Sequence, residues 1–460
     1  MTIALPGRRP FPLPRRALLA GAIALAGAGA ARADDPAPSP PASPEPESVS
    51  PWAVHGQATV VDQATIAFTS PYRGAQSLDP GTRGRETVDV TLFAGWRPWS
   101  GAEIWVNPEI DQGFGLNGTF GAAGFPSAEA YKVGKADPYL KLPRLFLRQT
   151  IDLGGPDQPV EADANQFAGH QTANRIVLTI GKFSVGDVFD TNKYAHDPRA
   201  DFLNWTVVDT GTFDYAADAW AYSAGAAAEW YQDRWTVRLG AFNLSKVPNS
   251  EHLDWTFDQF QLDGELEERH QLAGHPGKIA VTGFLTRGRM GKYDDAIALG
   301  EATGEAPSTA LVRKYRGRDG VSVNLEQALT DSLGLFARAG AAQGDAEPYE
   351  FTDVDRTVAA GLSLSGKAWG RPDDTVGLAG VVNQISRAHI DYLAAGGLGI
   401  LVGDGKLPHP GAEQIVETYY SAGLTRWLAV TFDGQLIVNP GYNKDRGPVP
   451  VLAVRLHAHI

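Results

Sequence analysis

Residues 184–217 mix hydrogen-bonding and aromatic side chains at close spacing. Six aspartates (Asp187, Asp190, Asp197, Asp201, Asp209 and Asp214) stand against two bases, Lys193 and Arg199. Phe189, Tyr194, Phe202, Trp205, Phe213 and Tyr215 are interleaved with Asn192 and Asn204. Carboxylates and amides hydrogen-bond hydroxyl groups, while aromatic faces stack on the C–H side of a sugar ring. Many weak contacts of this kind suit a conduit, because a tightly held solute leaves slowly. The plainer alternative is an external loop that is polar because it is wet.

Other patterns look chemical but carry less. The aspartates lack the Asp-x-Asp-x-Asp-Gly spacing of a calcium loop, so no metal is expected. His457 and His459 lie two apart on an alternating segment and share a face, but two histidines without a third ligand more often line water than bind metal. Glu265, Glu267 and Glu268 read as a solvated rim. Ser223 and His196 have no nucleophile-elbow context, so neither an enzyme nor a cofactor is expected.

Bulk properties narrow the class. The 460 residues carry a net charge of −13, with no cysteine. Disulfides, thiolate metal sites and thiol catalysis are thereby excluded. An acidic chain with no basic stripe argues against nucleic acid. Arg8, Arg9, Arg15 and Arg16 precede an apolar run from Ala17 to Ala31, and Ala31-Arg32-Ala33 supplies small residues for cleavage. Residues 1–33 are expected to be a signal peptide; losing them removes five arginines and no acid, which moves the charge to −18. Residues 34–51 are Pro-, Ser- and acid-rich, with almost nothing to bury, and are expected to form a disordered leader.

From Trp52 onward, alternating segments recur. In 428–438, Leu428, Val430, Phe432, Leu436 and Val438 share one face, and Thr431, Asp433 and Gln435 the other. In 450–460, Leu452, Val454, Leu456, Ala458 and Ile460 oppose Arg455, His457 and His459. Successive strand side chains point to opposite sides, so each segment has an oily face and a wet one. Sixteen such strands are expected between 54 and 460, joined alternately by eight longer loops and seven shorter turns. Mean hydropathy is −0.21, as expected where only every second residue faces lipid. Trp96, Trp99, Trp220, Trp230, Trp235, Trp369 and Trp427 collect at strand ends, as interfacial girdles do. The expected fold is all-β: residues 52–460 form a 16-stranded antiparallel transmembrane barrel in the outer membrane, with both termini in the periplasm.

Several stretches resemble the carbohydrate-selective porins of the OprB family. They are Leu145-Phe-Leu-Arg-Gln-Thr-Ile-Asp-Leu-Gly154, Gly181-Lys-Phe-Ser-Val-Gly-Asp-Val-Phe-Asp-Thr-Asn192 and Asp201-Phe-Leu-Asn-Trp205. The last is Asn439-Pro-Gly-Tyr-Asn-Lys-Asp-Arg-Gly-Pro448, followed by Arg455-Leu-His457. The similarity covers most of 52–460. It implies a sixteen-stranded barrel through which sugars, glucose in particular, diffuse. The chain departs from outer-membrane barrels at Ile460, where an aromatic is usual.

A sixteen-stranded lumen is too wide to select anything, so an inserted loop must narrow it. The loop 184–217 is the candidate, with Asp187, Asp190, Asn192, Lys193, Arg199, Asp201, Asn204, Trp205 and Asp209 as site residues. Strand parity turns Glu109, Asn107, Arg148, Asp152, Arg238, Glu326, Arg338, Glu417, Asp433 and Arg455 inward. Glu109, Arg148 and Arg238 are the preferred wall positions. Expected partners are small carbohydrates, outer-membrane lipid and lipopolysaccharide, and the barrel-assembly machinery; a homotrimer is one assembly open to such a barrel. Rival readings are a general small-solute porin, a polysaccharide exporter, a barrel enzyme and a soluble lectin-like β protein.

Overall fold

A computed structural model describes residues 50–81, 85–130 and 134–460. The expected signal peptide and nearly all of the leader lie outside the described residues.

Sixteen strands among the described residues close into one antiparallel barrel, each hydrogen-bonded to its neighbours in sequence. They are β1 (Trp52–Thr65), β2 (Arg85–Trp96), β3 (Ala102–Gly113) and β4 (Lys135–Val160). Then come β5 (Gly169–Phe183), β6 (Ser223–Gln232), β7 (Trp235–Asn243) and β8 (Phe260–Leu272). The next four are β9 (His275–Met290), β10 (Lys314–Ala328), β11 (Leu333–Ala342) and β12 (Arg356–Ser365). The circuit ends with β13 (Thr375–Gln384), β14 (Glu413–Thr425), β15 (Leu428–Val438) and β16 (Val449–His459). β16 returns to β1, with Gln57 opposite His459 and Thr65 opposite Val451. No helix among the described residues is long and apolar enough to cross a membrane.

Closure leaves no free sheet edge, which is what permits strands to cross lipid. Alternation then sorts the side chains. Val88, Val90, Leu92 and Ala94 face outward on β2, while Thr87, Asp89, Thr91 and Phe93 are buried inward. Seven connections at one end are turns, and both strand termini lie there; eight longer connections leave the other end. Seven exposed tryptophans, Trp52, Trp96, Trp99, Trp230, Trp235, Trp369 and Trp427, sit at the turn end, while the exposed Trp255 lies in the long β7–β8 connection at the other end. Trp220 does not join them. The strand expected from 218 begins at Ser223, because Asp218 accepts from the N–H groups of Trp220 and Tyr222 and holds a turn there.

The largest difference from expectation is β4. Alternation in the sequence marks a strand over 142–153, whereas β4 runs for 26 residues. Pro138, Pro143, Pro156 and Pro159 with Gly154 and Gly155 resemble loop sequence. Pro156 and Pro159 lie past the turn-end rim, where both outer edges of the β4–β5 pair are free, whereas Pro138 and Pro143 lie at the other end, where β4 pairs with β3 alone and the register shifts twice; proline is tolerated where no ladder bond is lost. Glu265 and Glu267 also differ. They lie on β8, buried and turned inward, not on a solvated rim.

Candidate functional site

The long connection from 184 to 222 folds into the lumen, and polar bonds fix it against one side of the wall. Asp190 accepts from Thr210 N (2.7 Å), Thr210 Oγ1 (2.9 Å) and Asn324 Nδ2 (2.7 Å), and lies 3.5 Å from Arg338 Nε. Asn192 donates to Asn324 Oδ1 at 2.7 Å. Asn204 caps a short helix, α1 (Trp205–Val208), by accepting from Thr206 N at 3.1 Å. Its amide also donates to Gly124 O and Gln435 Oε1, each at 3.0 Å. Glu417 accepts from the backbone of Leu203 and Asn204. Arg338 donates to Val207 O and Ala195 O, and Arg455 to the carbonyls of Pro198, Ala200 and Asp201.

These wall groups come from β10, β11, β14, β15 and β16. A buried polar group without a partner is costly, so these loop carbonyls and N–H groups are matched by inward side chains. Pinning the loop to that side leaves space on the opposite side. There, a cavity of about 260 Å³ lies between the loop and the wall of β3 and β4.

Glu109, Lys141 and Arg144 line the cavity from the wall, and Asp187, His196, Asp197, Arg199 and Asp209 from the loop. Its bases are held by acids. Lys141 Nζ lies 3.1 Å from Glu109 and 2.8 Å from Asp111. Arg144 binds both oxygens of Asp187, and Arg199 lies 3.3 Å from Glu129 and 3.5 Å from Asp197. Burial works against the Asp187 carboxylate, yet Arg144 holds its pKa below the ordinary value. Arg199 does the same for Asp197. Asp209 is in no arginine fork of this kind; burial and the charge of Asp190 outweigh Arg338 and Tyr215 and push it up to about 7. Burial and Asp197 push Asp201 to about 6. His196, 3.7 Å from Asp209, is lowered by burial and by Arg338.

Aromatic rings supply the remaining surface. Phe125, from the connection after β3, stacks parallel on Trp205 with centroids 5.6 Å apart. Phe351, from the connection after β11, meets Trp205 edge-on at 4.8 Å and Tyr215 at 4.9 Å. Trp205 is thus clamped and only 2% exposed. Trp220 is half-buried in the same cavity, and its Nε1 donates to Tyr139 OH at 2.9 Å.

The expected site residues therefore divide. Glu109, Asp187, Arg199, Trp205 and Asp209 line the cavity. Asp190, Asn192 and Asn204 hold the loop to the wall, and Asp201 closes a turn by accepting from His196 N and Asp197 N. The N–H of Lys193 donates to Glu326 Oε2 at 2.6 Å, near the turn end. Arg148 lies at the turn-end mouth, 3.4 Å from Glu103. Arg238 is buried against Glu229 (3.0 Å), Glu265 (2.6 Å) and Glu267 (2.8 Å), away from the cavity. Among the described residues, no three His, Asp or Glu side chains are grouped to hold a metal ion.

Lys141, Arg144, Glu129 and Tyr222 line the cavity without a sequence motif naming them, and Trp220, expected in an interfacial girdle, lines it instead. Arg144 shares parity with Arg148 and was legible. Lys141 was not, because the register shift between Asn107 and Glu109 resets the parity of β4.

A protein-family model for the carbohydrate-selective porins of the OprB family matches residues 75–460. A Pseudomonas putida OprB structure, solved at high pH, superposes with a TM-score of 0.66 at 15% identity, covering 89% of this chain and 94% of that one. The outer membrane channel DcaP of Acinetobacter baumannii superposes at 0.50 with 10% identity, over 89% of this chain and 97% of that one. At these identities the superpositions speak to the fold alone. Comparison with curated protein sequences gives no match.

Proposed function

The chain belongs to the OprB family of carbohydrate-selective porins, a sugar-diffusion channel of the outer membrane, and from that premise we propose that the cavity against β3 and β4 is its selective constriction. The solute we assign to it is a neutral sugar of one ring, moving down its own gradient without energy coupling or chemical change.

The observation that carries this reading is the pairing of Lys141, Arg144 and Arg199 with acids. An anionic solute finds no uncommitted base among them. A neutral polyol instead meets fixed donors and acceptors in quick succession, beside the half-buried Trp220 ring. Preformed partners exchange with a hydrated solute at little reorganisation cost, and none of them alone holds it tightly. In the same reading the outward Val and Leu side chains contact lipid and lipopolysaccharide. Delivery runs through an N-terminal signal peptide and the barrel-assembly machinery, with a homotrimer as one possible assembly.

Swelling of liposomes loaded with the purified protein tests the function. Sugars should enter faster than amino acids of matched size. Equal rates would make the chain a general small-solute porin, and no swelling would remove the channel reading.

A further inference from the structure

The β4–β5 connection differs from the other turns at its end of the barrel. β3 ends its pairing with Ala102 opposite Gln149, and β6 pairs Tyr231 with Arg175. Beyond those points β4 and β5 continue as a two-stranded ribbon to Val160 and Gly169. The register shifts twice around Gly154, and Gly154 and Gly155 take φ of 92° and 90°. Glycine reaches that conformation without a Cβ clash, and bulges bend a strand pair. The tip of the ribbon returns to the lumen wall. Phe167 is 4% exposed, with its ring 5.0 Å from Trp105. Arg97 covers the Phe167 ring at 4.3 Å and donates to Ala168 O at 3.2 Å. Arg148 donates to Asn165 O at 2.8 Å.

Beneath Phe167 lies an arrangement suited to a sugar. Trp105 points into the lumen opposite Gly95. A Cβ on Gly95 would stand 2.7 Å from the indole and 2.9 Å from the Phe167 ring, so the glycine lets the indole lie against the wall. Glu103 accepts from Trp105 Nε1 at 3.2 Å, and Arg148 lies 3.4 Å from the same carboxylate. An indole face for ring C–H groups, flanked by a carboxylate and a guanidinium for hydroxyls, is a pyranose-binding set. Phe167 covers it.

We propose that Trp105, Glu103 and Arg148 form a second sugar subsite at the periplasmic mouth, and that Phe167, carried on the β4–β5 ribbon, occupies it as a removable plug. The proposal rests on the reading of the chain as a sugar channel. It differs from a purely structural cover over Gly95 in what it requires of glucose. With the plug removed, glucose must bind better, and that gain must depend on Trp105.

The test is ion conduction through the full-length protein in planar bilayers, with glucose titrated as a blocker. Phe167 lies in the connection between β4 and β5 and takes no part in the barrel's strand pairing, so Phe167→Ala should raise unitary conductance and lower the glucose concentration needed for half-block. Adding Trp105→Leu keeps an apolar cover on Gly95 but removes the flat face, and should weaken block by roughly two- to ten-fold relative to Phe167→Ala alone. Heat-modifiable gel migration verifies folding of each variant. Block by glucose that is the same in Phe167→Ala and wild type overturns the proposal, as does a double variant that keeps the gain. A wild type that forms no channel is a separate failure, of the sugar-channel reading itself.

Discussion

Arg144 grips both oxygens of Asp187, with Nη2 2.6 Å from Oδ1 and Nε 2.8 Å from Oδ2. The fork ties strand β4 to the first turn of the inserted loop. It also commits a guanidinium that faces the cavity. Bidentate pairs of this geometry combine strength with fixed orientation, so a single contact sets both the position of the loop and the charge a solute meets.

Arg144→Ala leaves Asp187 uncompensated at the cavity edge. In a KCl gradient the reversal potential of this variant is expected to move toward cation preference. Asp187→Asn frees the guanidinium and should move it the opposite way. Unchanged reversal potentials in both variants would place the pair outside the conduction path.

Asp190 is the anchor most sensitive to deletion. Asp190→Ala strips partners from Thr210 and Asn324 and leaves Arg338 without its carboxylate. Breaking a buried charge pair costs roughly 3–5 kcal/mol, here charged to loop anchoring because the barrel ladder is untouched. The variant should retain heat-modifiable migration, conduct more per channel and be cut by protease within 184–222. Wild-type conductance with a protease-resistant loop would contradict the anchoring role.

The constriction should respond to pH through the two raised aspartates of the loop. Asp209, at about 7, and Asp201, at about 6, bind protons more tightly in the folded chain than an ordinary carboxylate does. Between the ordinary range and these values the folded state holds more protons than the unfolded one, so their contribution to stability falls as pH rises through that window. Lowering pH from 8 to 5.5 removes negative charge from Asp209 in the cavity and from Asp201 in the loop behind it, and should narrow any discrimination against anions. Asp209→Asn should flatten the part of that response centred near 7; a full response in the variant would assign it to other groups.

The barrel was highly legible in the chain because period-two alternation survives errors of a residue or two at strand ends. Val88 to Trp96 and Leu452 to Ile460 separate oil from water on local pattern alone. What alternation cannot register is a shift in parity, and Lys141 was lost at one. Nor does composition distinguish an aspartate that faces a solute from one that holds a backbone. Asp187 and Asp190 lie three apart in the same loop, yet one lines the cavity while the other satisfies Thr210, Asn324 and Arg338. The partners that decide between those roles come largely from the wall: Asn324 and Arg338 stand more than a hundred residues from Asp190 in the chain, and Arg144 stands on β4 before the loop that carries Asp187. Trp205 was readable as an aromatic of the site, but the clamp of Phe125 and Phe351 depends on two other loops entering the same lumen.

The central claim is that a constriction whose bases are already paired passes neutral sugars in preference to acidic ones. Liposome swelling with glucose and with gluconate, near-identical in size and different in charge, measures that preference directly. The account predicts that glucose enters clearly faster at neutral pH. Gluconate entering at the same rate as glucose, or faster, would contradict it.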